Sequence, residues 1–395
     1  MAMAATPINV FNSADCRERI KASMKQLDAA FVDRTDVVRL IALANLVGQD
    51  FLLIGPHGTA KTKLIELWNK HIAGASFLKV PCGSFTPVEE LFGPFDVKAF
   101  QSGTYKRVTD GKLPTVELAF LDEVMKLNDG SMNHLLECLN ERTFHGIPIS
   151  LWCVGAATNW PEVKRRSDKV EALYDRFVLR IAIPRIVDQK KRAAILKQAR
   201  SLKQYVPQAT FTVAELRSAR AEIDKVEISD GIRKALVDII TRLSKEQIDI
   251  SERRSNQIQD VLAASAWLAG RTEVTLTDFD VLSFGFWIDE PHIETLDSIL
   301  DTIDLKVVKK CIETIDKSRQ QYAAIKGSRQ QTLQRGPAVM KAMESAAAFV
   351  LTSIKKEGIT ERGKSKIKES INLMKAELAT LEADLRRELG LDTNI

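Results

Sequence analysis

Three short runs in this chain carry residue types that do phosphate chemistry. The first is Gly55-Pro56-His57-Gly58-Thr59-Ala60-Lys61-Thr62, a glycine-containing turn that ends in an amine and a hydroxyl. It follows the apolar run Phe51–Ile54 and opens a helical pattern. In that setting successive backbone N–H groups point inward and the helix N-terminus adds positive dipole. Lys61 would then reach the β- and γ-phosphates of a nucleoside triphosphate, and the Thr62 hydroxyl would bind Mg²⁺. An ordinary turn could carry so loose a pattern, but its place between a buried strand and a helix favours the phosphate loop. Ala60 stands where the common pattern has a second glycine. A methyl group is tolerable there if the residue opens the helix with negative φ.

The second run, Leu118 to Glu123, reads as an apolar strand ending in two acids. A parallel-sheet strand delivers its C-terminal residues to the same edge as the phosphate loop. Asp122 would support Mg²⁺ mostly through bound water, and Glu123 would polarise the attacking water as base or orienter. Solvated acids capping a strand end are the bland alternative. The third run holds two separate groups. A strand at 151–157 ends in Thr158-Asn159, whose amide could hold the water or the γ-phosphate, or could simply start a turn before Trp160-Pro161. Further on, Leu173-Tyr174-Asp175-Arg176-Phe177 places Arg176 at the far end of the nucleotide domain. There it can hardly return to its own phosphates; it would act on a neighbour's as an arginine finger, or else pair with Asp175 or Glu171.

The elements that must position these groups show in the pattern of apolar runs. Short buried strands at 51–54, 77–80, 116–121 and 151–154 alternate with helices such as 61–71 and 129–140. That order predicts an α/β fold, a parallel sheet with helices on both faces, over 1–184. Residues 185–288 read as an all-helical domain, including 188–199, 214–221 and 231–243, and a helix after the cap-like Ser251 with apolar positions Ile258, Val261, Leu262, Ala266 and Ala269. From 289 to 395 the chain reads as a helical, coiled-coil-like arm. Ile367, Ile371, Met374, Leu378, Leu381 and Leu385 step by four and three, a heptad seam. Arg335-Gly336-Pro337 and the polar stretch 355–363 are expected to break its helices, giving a hairpin or three-helix arm rather than one rod.

Composition narrows the class. The 395 residues are 45% hydrophobic and 28% charged with net charge +5, which is ordinary soluble material that neither requires nor excludes nucleic acid. No apolar run approaches the ~18 residues that span a bilayer, and the first twenty residues lack a signal-peptide pattern. Cytoplasmic location is the expectation. The five cysteines are scattered without a C-x-x-C pair, so buried reduced thiols are expected rather than a metal site or disulfides.

Taken in order, Gly55 to Thr62, Phe120 to Val124, Leu135 to Arg142, Ala156 to Asn159, Glu171 to Arg176 and Ser251 to Arg254 resemble the motifs of the MoxR family of AAA+ ATPases, and the nearest branch looks like the RavA type. Glu89 to Pro94, the stretch 105–114 and Leu173 to Arg176 are especially similar to that branch, and the resemblance spans roughly 13–285. It implies ATP as the nucleotide with Mg²⁺, an αβα nucleotide domain with a helical lid, a hexameric ring, and von Willebrand A-type partners. By the same resemblance Asn159 takes the sensor-1 role and Arg176 the finger. Arg253 takes sensor 2 on its own subunit's nucleotide, with Arg254 as the adjacent alternative; a cation in a helix's first turn opposes the dipole, which favours a ligand role. Residues around 95–111 and the hairpin Thr143 to Gly146 match family inserts, making Tyr105, Lys106 and Phe144 candidates for substrate contact or, equally, anchors of their own loops. The RavA type carries a β-rich insert between its C-terminal helices, and no strand-like block of that kind appears here.

These readings point to a ring ATPase that remodels, loads or activates another protein. A finger lent by a neighbour is worth ~10³–10⁵ in rate, so the isolated subunit should be nearly inactive. Two other functions compete. A nucleic-acid motor would use the basic stretch 355–375, but acids interrupt it and aromatics are absent. A nucleotide-controlled scaffold would recruit its partner through the heptad seam, unless that seam is used for packing within the chain.

Overall fold

The computed structural model describes residues 11–164, 168–301, 305–326, 328–356 and 361–388. Two compact units emerge: Met1–Ile228 with Ile250–Glu273 and Phe284–Glu290, and Ser229–Asp249 with Val274–Ser283 and Pro291–Ile395. The helical stretch that follows the sheet is therefore divided between them.

Among the described residues the first unit holds seven strands: β1 (Phe51–Ile54), β2 (Phe77–Pro81), β3 (Leu118–Asp122), β4 (Thr143–Phe144), β5 (Ile147–Pro148), β6 (Cys153–Thr158) and β7 (Leu179–Ala182). Five form one parallel sheet in the order β2-β3-β6-β1-β7, while β4 and β5 pair as a small antiparallel hairpin. Every residue of β1 and β6 is buried, as are four of the five in β3. Burial on both faces is what a parallel sheet requires, and it explains why these strands read as continuous apolar runs. The register pairs Leu53 with Ala157 and Leu121 with Ala156, so β1, β3 and β6 end along one edge. Two strands start later than the apolar runs suggest. Val116 and Leu151 lie outside the ladder, where loop bonds such as Trp152 N–H to Glu117 O (2.7 Å) lead the chain in.

Helix Thr35–Val47 is buried along almost its whole length. It packs on β1, β6 and β7 and on helices Ser13–Ala30, Val213–Ile223 and Glu252–Leu268, forming the centre of the unit's core. Helix Glu252–Leu268 starts at Ser251, whose hydroxyl accepts the Arg254 N–H, a cap worth about 1 kcal/mol. That cap sets Arg253 and Arg254 in the first turn.

The insert after Pro94 contains the short helix Val97–Gln101 and a bridge between Phe95 and Arg107. The Arg107 guanidinium lies over the Phe95 ring, and Tyr105 meets Phe95 and Phe100 edge-on, yet stays exposed. Phe144 differs. It is buried and stacked on Phe92 at 5.0 Å, so it anchors its hairpin and is not available to a substrate.

In the second unit, helices Leu305–Ile325, Arg329–Lys356 and Glu361–Glu388 pack pairwise around a core that includes Cys311, Ile315, Tyr322, Met343 and Val350. The seam residues Ile367, Ile371, Met374, Leu381 and Leu385 are buried in it, with Leu378 against its border. The expected break at Arg335-Gly336-Pro337 does not occur; the helix continues with Pro337 inside it. Pro337 removes one helical hydrogen bond, but Gly336 lets the neighbouring helix come close, since a Cβ there would lie 2.8 Å from Leu385. Tertiary packing outweighs the local propensity. Of the basic stretch 355–375 and the polar stretch 355–363, residues 357–360 and the side chains up to 366 lie outside the described residues.

Among the described residues no strand follows Ala182, and no helix is long and apolar enough to cross a membrane. All five cysteines are buried and none forms a disulfide. Burial pushes the Cys82 and Cys138 thiols up to about 12, which keeps them protonated and unreactive.

Candidate active site

β1 delivers the chain to the sheet edge at Gly55, whose N–H donates to Thr158 O at 3.0 Å. A Cβ at Gly55 would lie 2.3 Å from Ile183 O, so the loop leaves the sheet where only glycine fits. Gly58 turns the loop with φ 80°, and the buried Thr59 hydroxyl ties it back to Pro56 O at 2.9 Å. Helix Lys61–Asn69 then begins with no side-chain cap. Its first N–H groups therefore face the loop, the arrangement that suits an anion. Ala60 is the surprise: it precedes the helix in the left-handed region, φ 66° and ψ 19°. The condition of negative φ is not met, and the alanine carries a strain of about 1 kcal/mol that glycine would not. Lys61 Nζ donates to Gly55 O (2.6 Å) and Pro56 O (3.1 Å), folded over its own loop. Burial lowers its pKa, against the pull of Asp122 and Glu123.

The acids meet the loop from β3. The Thr62 hydroxyl donates to Asp122 Oδ2 at 2.7 Å, and the Glu123 N–H donates to Asp122 Oδ1 at 3.1 Å, so both carboxylate oxygens are fixed. Glu123 itself turns away from the strand with φ 55°. Lys126 Nζ holds its Oε2 at 2.6 Å, and His57 Nδ1 lies 3.3 Å from its Oε1. The other ring nitrogen of His57 is 3.4 Å from Asn159 Nδ2, and Asn159 Oδ1 accepts the Glu162 N–H at 3.2 Å. Lys61, Thr62, Asp122, Glu123 and Asn159 thus lie together at this edge of the sheet. Lys126 and the imidazole of His57 were not foreseen as partners of Glu123; the i,i+3 spacing of Glu123 and Lys126 could have suggested the first contact, while nothing in the spacing announces the second.

Beside the loop is a cavity of about 300 Å³ reached from His57, Gly58, Thr59 and Ala60. Phe31, Val32, Ile186 and Ile195 give it apolar walls, and Arg34 and Arg192 contribute charge. Its volume matches the lower end of small-molecule sites, roughly 300–1,000 Å³. Burial lowers the Arg34 pKa. These residues come from separate elements, and no motif announces them.

A second cavity, about 260 Å³, shares no residue with the first. Arg142, Arg176 and Arg253 line it with Asp50 and Asn140. Arg142 Nη2 pairs with the buried Asp50 at 2.8 Å, and Arg253 Nη1 donates to Asn140 Oδ1 at 3.1 Å. Arg176 ends helix Asp168–Arg176, with its buried Nε lacking a hydrogen-bond partner. Burial and then the nearby Arg253 lower the Arg176 pKa. The resemblance puts Arg253 on its own subunit's nucleotide; in the structure it lines the second cavity with Arg176. Arg254, the adjacent candidate, is 3% exposed and donates to Asp175 Oδ1 at 2.9 Å and to Trp287 O at 3.5 Å.

Comparison with known proteins identifies the family. The family described as "MoxR domain in the MoxR-vWA-beta-propeller ternary systems" matches residues 18–224, and an AAA lid domain matches 231–300. An uncharacterised protein of Methanocaldococcus jannaschii is 30% identical over 308 residues, 76% of this chain and 78% of that one. A second from the same organism is 31% identical over 275 residues, 68% of this chain and 70% of its own length. A structural protein of Acidianus two-tailed virus is 30% identical over 257 residues, 61% of this chain but 39% of the viral protein. The crystal structure of a candidate ATPase from Cytophaga hutchinsonii shares the fold at 19% identity, with a TM-score of 0.58 over 73% of this chain and 95% of the other. With the phosphate loop, the paired acids and the lid in family order, the chain belongs to the MoxR family of AAA+ ATPases.

Proposed function

We propose that the chain assembles into a ring, with a hexamer as the family expectation, and hydrolyses ATP at subunit interfaces to remodel, load or activate a partner protein. The observation that carries this reading is the separation of the two cavities. The phosphate loop and its acids border one, while Arg176 and Arg253 border the other without sharing a lining residue. A single subunit then owns two half-sites, and a neighbour completes each.

The triphosphate would lie on the N–H groups of Gly55 to Thr62, with its base in the apolar cavity beside Phe31 and Ile186. Lys61 would leave its loop carbonyls for the β- and γ-phosphates. The Thr62 hydroxyl and Asp122 carboxylate, two hard oxygen donors 2.7 Å apart, suit Mg²⁺, which when bound would neutralise phosphate charge. Glu123 would take the proton of the attacking water, which Asn159 helps to hold. Arg176 and Arg253 of the adjoining subunit would stabilise the charge that develops on the γ-phosphoryl group. In this reading Arg253 acts across the interface.

The matching family's description names von Willebrand A-type components, which supports a partner of that type, encountered in the cytoplasm. The scaffold alternative loses its support, since the heptad seam is consumed within the arm. ATP turnover per subunit is expected to rise with protein concentration as rings form. Constant specific activity down to concentrations where sedimentation shows only monomer would refute the proposal.

A further inference from the structure

We infer that His57 is a positioning residue for Glu123, its imidazole coupling the carboxylate to Asn159 and to the phosphate loop. The inference rests on the hydrolysis proposed above and adds a residue to it. Nδ1 lies 3.3 Å from Glu123 Oε1 and Nε2 lies 3.4 Å from Asn159 Nδ2. The Asn159 amide is not free to flip, because its Oδ1 accepts the Glu162 N–H. Its N–H₂ therefore faces the ring. With Nδ1 carrying the ring proton, Nε2 accepts from Asn159 and Nδ1 faces Glu123 Oε1 across 3.3 Å. The ring is carried by the loop itself, between Gly55 and Gly58, so any adjustment of the loop around a triphosphate moves the group that faces Glu123. Lys126 grips the other carboxylate oxygen at 2.6 Å, leaving His57 as the contact that loop occupancy can alter.

The test uses the full-length chain, with kcat read by a steady-state ATPase assay and nucleotide affinity measured with a fluorescent ATP analogue. His57 is 69% exposed at its side chain, so replacement should leave the fold intact. His57→Ala is expected to lower kcat about tenfold, as a mis-aimed base does, with affinity little changed. His57→Asn places an amide N–H near the Nδ1 position and should restore most of kcat. Parental kcat in His57→Ala would overturn the inference, as would a loss confined to affinity or the absence of any rescue by His57→Asn. Lys61→Ala and Glu123→Gln run in parallel. If they retain turnover, the underlying hydrolysis reading fails; if they abolish it while His57→Ala behaves as the parent, only the role of His57 fails.

Discussion

Adjacent arginines at the start of helix Glu252–Leu268 should fail in opposite ways. Arg254 is buried and bonds both Asp175 and the Trp287 carbonyl; Arg253 is exposed and donates to Asn140 across the second cavity. Breaking a fully buried pair costs about 3–5 kcal/mol. The Asp175 side chain, however, is 37% exposed, so water can recover part of its charge once Arg254 is gone. The loss should then be nearer to 2 kcal/mol, a drop of about 4–8 °C in the melting temperature of a unit this size. Arg254→Met, which keeps the stem and removes the guanidinium, isolates that term. Arg253→Met should melt with the parent yet lose at least ~10²-fold in kcat, since it removes a cation from the transition state. Calorimetry with steady-state ATPase assays reads both quantities. Equal destabilisation by the two variants would refute the assignment of one arginine to the fold and the other to chemistry, as would full activity in Arg253→Met.

Two further outcomes follow from single residues. Ala60→Gly relieves the left-handed strain but frees the unfolded chain, two effects of about 1 kcal/mol that nearly cancel; stability should barely change and ATP-analogue affinity should be at least parental, whereas weaker binding would mean that the methyl group itself helps shape the loop. His71 is fully buried, donating from Nδ1 to Ala209 O and accepting the Tyr205 hydroxyl at Nε2, and burial lowers its pKa below 6.5. The folded chain refuses a proton that the unfolded chain accepts, so this contribution is complete above about pH 6.5 and is lost as the pH falls through the folded value; His71→Gln should flatten the acid-side slope of the urea midpoint, and an unaltered slope would contradict the assignment.

How much of this was legible beforehand depends on whether local sequence decides the matter. Phe51–Ile54, Gly55 to Thr62 and Leu118 to Glu123 were legible because a twice-buried strand must be apolar throughout and a phosphate loop needs its glycines and lysine in a fixed order. The heptad seam was legible as a helical face, and the core of the arm shows what it packs against. Gly336-Pro337 misled because local propensity says break, while close packing on Leu385 permits continuity. Ala60 misled because its conformation is set by the loop's closure rather than by alanine. The apolar cavity, the contact of His57 with Glu123, and the meeting of Arg253 with Arg176 join residues far apart in the chain. No spacing rule reaches across such distances.

The central claim is that chemistry requires groups from two subunits, and complementation tests it most directly. Lys61→Ala chains keep Arg176 and Arg253, while a chain carrying Arg176→Ala and Arg253→Ala keeps its phosphate loop; each alone should be inactive. In an equal mixture that exchanges subunits at random, half of the loops are intact and half of their neighbours bring both arginines, so about a quarter of the parental activity should return if the sites act independently. A mixture as inactive as its components, with mixed rings demonstrated, would contradict the account.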